Sequence, residues 1–202
     1  MTLSQPLARK HSHDCARRAA STVGQATAIL GMLHLVPADH AAVHAQLAAL
    51  AEDSTCEPDC DLTRAMRAVV VHLGTTAELA HRHRVTALAD ELAELVGIVE
   101  ECGRNTARTF AAPLDFVGAE CYRAEIARLA HDADDASRRW FARWYFDTDD
   151  PATVEGMRHV GDELENVVRA FESVADAVRR PEYATKVSGS GHIPATSMIG
   201  AG

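Results

Sequence analysis

Residues 150–181 read DPATVEGMRHVGDELENVVRAFESVADAVRRP, and this stretch decides the fold class. Asp150 offers an N-cap, and Pro151 suits the first helical position, where its missing N–H costs nothing. At the other end Arg179 and Arg180 complement the negative pole of a helix dipole, and Pro181 stops the helix. Between these marks Val154, Met157, Leu164, Val167, Phe171, Val174 and Val178 recur three, four and seven residues apart. That spacing puts them on one stripe, so a long amphipathic helix facing a partner helix is predicted.

The same signal repeats upstream. Tyr122, Ile126, Leu129, Ala133, Ala136, Trp140 and Trp144 form a second stripe, with Arg123, Glu125, Arg128, Asp132 and Arg139 on the other faces. The acidic run Asp147 to Asp150 between the two is short, which predicts an antiparallel helical hairpin. Val85, Leu88, Leu92, Leu95, Val96, Val99 and Cys102 make a third stripe, and Leu62, Met66, Val69, Val70 and Leu73 a fourth, with a kink or break expected at Gly74 to Thr76. A first helix is expected from Asp14 to Leu35, before Pro37, a short one from Asp39 to Glu52, and a loop from Asp53 to Asp61. Residues 1–12 are expected to be a flexible N-terminus, 13–180 one helical bundle, and 181–202, rich in Ser, Gly, Thr and Ala, a disordered tail in which Ile193, Met198 and Ile199 are apolar.

Composition agrees. The 202 residues are 47% hydrophobic but only 5% aromatic, alanine recurs throughout, and strand-like alternation is missing, so the fold is read as all-α. The formal charge of −9 repels a phosphate backbone, so no nucleic-acid partner is expected. Cys15, Cys56, Cys60, Cys102 and Cys121 are an odd, scattered set, which suits a reducing, cytoplasmic home better than a disulfide framework. The most apolar run, Ala26 to Val36, is too short and too interrupted to span a bilayer, so no membrane insertion is expected. His11, His13 and Asp14 break the order of a secretion signal.

Glu165, Arg169, Glu172 and Asp176 share one stripe of the last helix, and carboxylates one turn apart on adjacent helices can converge on a metal; a solvated acidic face is the plainer reading of the same spacing. The segment Asp150 to Arg179 resembles the closing helix of the PhoU-like accessory proteins associated with Pit-type phosphate transporters. Glu125 to Asp134 is similar to that family's I-x-x-L-E-x-x-A-D helix, and LADELAELVGIVE at 88–100 to its L-D-D-x-x-D-x-x-E helix. The resemblance implies a bundle of long antiparallel helices in two similar three-helix halves, the second of them incomplete here because residues 100–125 leave little room for another long helix. It also implies a non-catalytic regulator or adaptor acting through helix faces, with a phosphate transporter or its regulator as protein partner; homo-oligomerisation stays open.

Metal clusters in that family sit on acidic pairs. Here Glu100, Asp134, Glu165, Glu172 and Asp176 match those positions, whereas Ala93, Gly97, Ala130 and Arg169 replace acidic residues. Fewer carboxylates and an inserted guanidinium lower affinity for a hard cation, so Arg169 is expected to pair with Glu165 or Glu172 and no cofactor is expected. A metal-binding bundle holding zinc or iron is the alternative, either on those carboxylates or on Cys56 and Cys60 with His40 and His44 as a Cys2His2 site, against which stands the plain reading of two loop thiols and two surface histidines. His81 and His83 read as helix-end caps. No phosphate-binding glycine loop, nucleophile elbow or H-E-x-x-H motif is present, so no catalytic residue is assigned.

Overall fold

Each apolar stripe is long enough to need a neighbour, and six α-helices result among the described residues. The computed structural model describes residues 5–34, 39–53, 60–85, 87–144 and 151–178. It is all-α: α1 Gln5–Gly31, followed by a 3-10 turn Met32–His34, then α2 His40–Asp53, α3 Asp61–Arg82, α4 Asp90–Thr109, α5 Phe116–Trp144 and α6 Pro151–Ala177. No strand occurs among the described residues. Helix α1 begins at Gln5, inside the segment expected to be flexible, with Pro6 in its first turn where proline is tolerated. The expected tail beyond Val178, the loop residues 54–59 and the acidic run at 147–150 lie outside the described residues.

Local chemistry sets the starts. Asp39 caps α2 by accepting from the Ala42 amide at 3.0 Å, Asp115 caps α5 by accepting from the Gly118 amide at 2.7 Å, and the Cys60 thiol caps α3 at the Thr63 amide. The break expected at Gly74 does not occur. Leu73, Thr76 and Ala77 on either side of it are fully buried, so packing holds α3 through the position unbroken, and the Thr75 and Thr76 hydroxyls donate to the carbonyls of Val71 and His72 one turn back. Helix α4 starts at Asp90 rather than Val85, and Val85 is buried from the connection instead.

Helices α1, α2 and α3 pack on one another, as do α4, α5 and α6, and the two groups dock through α1 against α4 and α3 against α6. Exchanging α1 with α4, α2 with α5 and α3 with α6 maps this packing pattern onto itself. The second three-helix group is therefore complete, a correction to the expectation drawn from residues 100–125. The shorter middle helix is α2, in the first group, with 14 residues against the 29 of α5. Helices α3 and α6 run antiparallel, since His72 meets Glu163 and His83 meets His159. The stripes read from sequence close over one core: Leu62, Met66, Leu73, Leu92, Leu95, Ile126, Leu164 and Phe171 are all fully buried. Polar seams cross it, Thr106 to Tyr122 at 2.9 Å between α4 and α5, and His72 to Glu163 at 2.6 Å between α3 and α6.

Candidate functional site

The five carboxylates matched to the resembled metal positions are spread along three helices, and a guanidinium four residues on stands by three of them. Glu165 pairs with Arg169 at 2.8 Å, as expected, while Glu100 lies 4.0 Å from Arg104 and Asp134 4.0 Å from Arg138. Glu172 and Asp176 are exposed on α6. Only Arg169 meets its carboxylate closely; Arg104 and Arg138 lie nearer Glu101, at 2.5 Å, and Asp135, at 2.8 Å. Among the described residues no three His, Cys, Asp or Glu side chains come together as a metal site. The Glu165–Arg169 pair is largely solvated, so Arg169→Ala should cost no more than about 0.5 kcal/mol. A urea titration reads this, and a loss several times larger would show that the pair holds α6 in place.

The Cys2His2 arrangement is not formed. Cys60 heads α3, whereas His40 and His44 lie beside the other end of that helix, where the His44 ring stacks on His81 with centroids 6.3 Å apart. A helix of 22 residues puts roughly 30 Å between its ends, too far for shared ligation. Antiparallel packing of α2 on α3 is the cause: it sends the start of one helix to the end of the other. Cys56 lies outside the described residues. Burial pushes the Cys102 thiol up to about 12, so it stays protonated as a packing group.

The same packing gathers what the sequence keeps apart. At one end of the bundle the first turn of α2 brings His40 and His44 to His81, Arg82 and Arg84, and the α3–α6 seam brings His83 within 3.2 Å of His159. His159 in turn lies 3.1 Å from Glu155 and 3.0 Å from the Arg158 guanidinium. A cleft of about 420 Å3 opens between α2 and the end of α3, lined by His40, Ala41, His81, Arg82 and Arg84. Arg84 holds φ at 52°, the left-handed region that costs a side-chain-bearing residue about 1 kcal/mol. Arg82 pairs with Glu78, one turn back on α3; Arg84 makes no ion pair among the described residues. Both ring nitrogens of His40 and Nδ1 of His44 are shielded from solvent without a well-formed hydrogen bond, although the Val85 backbone lies close to His40. Such orphaned groups are uncommon, each costing about 1–3 kcal/mol.

Burial holds the His40 imidazole below its ordinary value of 6.5, and the neighbouring His81 adds to the effect, against the backbone of Val85 and the carboxylate of Asp39. Below 6.5 the unfolded chain therefore binds more protons here than the folded one. This residue's contribution to stability is present above 6.5 and is lost as pH falls through the lower folded value. The His40→Gln variant should accordingly lose less stability on acidification from about pH 7.5 to about pH 5 than the parent does. Equal losses in paired denaturation curves would refute the assignment. The groups facing His40 are Asp39 on its own helix start, and His81, Arg82, Arg84 and the Val85 backbone from the end of α3.

No protein-family model matches the chain, and no curated protein sequence matches it. Among the described residues no helix is long and apolar enough to cross a membrane. Sequence reasoning named His40 and His44 but tied them to Cys60, which heads the far end of α3, and it read the His81 to Arg84 run only as a cap. The missing signal was the register of α2 on α3, which no local pattern carries.

Proposed function

We propose that the chain is a non-catalytic regulatory or adaptor protein of the PhoU-like kind, acting in inorganic phosphate transport or its signalling by presenting helix surfaces to a protein partner. The observation that carries this reading is the packing of six helices as two exchangeable groups of three, the architecture that the resemblance of residues 84–100, 125–134 and 150–179 implies. The arginine beside Glu165 supports a scaffold role over a metal-cluster role, since a guanidinium one turn away competes with a cation for the same carboxylate. Phe116 and Val117, exposed at the start of α5, supply an apolar contact point.

Deleting the gene should alter phosphate uptake between phosphate-limited and phosphate-replete cells, and the intact chain should co-purify with a phosphate transporter or its regulator. The Phe116→Asp variant should weaken that co-purification while folding normally. Unchanged uptake in both regimes, together with no transporter or regulator recovered, would overturn the proposal.

A further inference from the structure

The cleft between α2 and α3 has the donors of an oxyanion site. Its lining brings two guanidinium groups and two imidazoles together, and no carboxylate is among the lining residues. Asp39 accepts from the Ala42 amide at the start of α2, and Glu78 pairs with Arg82, so an anion would share Arg82 with Glu78 and meet Arg84 alone. Arg84 keeps its five N–H donors unpaired by any carboxylate among the described residues, on a backbone held in the left-handed region at the mouth of the cleft. The ring nitrogens of His40 are shielded behind the cleft wall, so the accessible donors are those of Arg84, Arg82 and His81. These features stand out in a chain whose overall charge is −9.

We propose that this cleft binds a small phosphomonoester, its phosphoryl group held by the guanidinium of Arg84 and the imidazole of His81, with Arg82 shared between the ligand and Glu78. A planar guanidinium matches two phosphoryl oxygens at once, and a dianion answers two cationic groups where a single carboxylate would answer one. The volume of about 420 Å3 lies in the range of small-molecule pockets and exceeds the need of a bare phosphate, leaving room for an organic part along Ala41. A metal ion is the poorer fit, because Arg82 and Arg84 repel it and no third ligand joins His40 and His44. The inference requires only the cleft and stands or falls separately from the transport role.

Isothermal titration of the purified full chain with glycerol 3-phosphate, adenosine monophosphate and inorganic phosphate, at fixed ionic strength, tests it. Saturable binding of at least one of the three is expected, with affinity lowered about tenfold or more in Arg84→Gln, in keeping with the loss of a charge-assisted bidentate contact. His40→Gln should weaken binding less, and matching circular dichroism melts would show that both variants fold. Binding of inorganic phosphate as tightly as the esters would make free phosphate the source of the phosphoryl group; binding of an ester alone would make it a metabolite. No saturation up to roughly 10 mM, where affinity is too weak to matter, overturns the proposal. So does unchanged affinity in Arg84→Gln, or zinc binding that depends on His40 and His44 in place of anion binding.

Discussion

Phe171→Ala should remove about 3–5 kcal/mol of folding free energy, the cost of emptying a fully buried aromatic site. Phe171 is wholly buried on α6, the helix that packs against α3, α5 and α4, so the void would open at a junction of elements and not at an edge. The surrounding side chains are themselves buried and held by their own helices, which limits how far the site can collapse. For a domain of this size each kcal/mol moves the melting temperature by about 2–4 °C, so a fall of roughly 10 °C is expected. Urea titration should show a lower midpoint with an unchanged slope, because the surface exposed on unfolding hardly differs. Phe116→Ala, which removes a side chain 63% exposed, should stay within about 0.5 kcal/mol. A loss below about 1 kcal/mol for Phe171→Ala would mean that α6 is not seated as described.

Gly103→Val should cost about 3 kcal/mol, the upper end of the overpacking range, for a reason that lies on a different helix. Where α1 crosses α4, small residues let the backbones approach: a Cβ at position 24 would stand 2.9 Å from that of Ala107, and one at position 103 would overlap the Thr27 hydroxyl and stand 2.7 Å from Thr27 Cβ. Thr27 has nowhere to go. It is buried, and its hydroxyl already donates to the Gly24 carbonyl at 3.1 Å. The two helices must therefore separate, loosening contacts along their length. Gly31→Ala is the instructive contrast. The atoms nearest its Cβ all belong to the Glu100 side chain, which is 26% exposed and can swing aside, so that variant, at the last residue of α1, should stay within about 1 kcal/mol of the parent. If both glycine variants lose stability equally, close α1–α4 packing is not the cause.

The two variants divide what could be read in advance from what could not. Phe171 was legible, because it falls on a stripe of period near 3.6 and a stripe must be buried somewhere. The glycines of the α1–α4 crossing were not, since a residue without a side chain leaves no mark on a hydrophobic pattern and its value lies in what the opposite helix brings to it. The charge pairs divide in the same way. Glu165 with Arg169 could be anticipated because both lie on one helix one turn apart, whereas His72 with Glu163 joins residues 91 positions apart and exists only because α3 and α6 run antiparallel in that register.

The candidate site follows the same rule. His40 and His44 were visible as a pair one turn apart, and His81 to Arg84 as a basic helix end. The meeting of His40 with His81, Arg82 and Arg84 around one cleft awaited the packing of α2 on α3, and that packing also separated Cys60 from the histidines it had been matched with. The sequence by itself determined the fold class, the helices and the face each one buries, because backbone periodicity and capping act over a few residues. Only the tertiary structure decided which helices meet and at what register, because a buried stripe specifies that it needs an apolar partner without specifying which one, and side chains far apart in the chain acquire a shared site only when that choice is made.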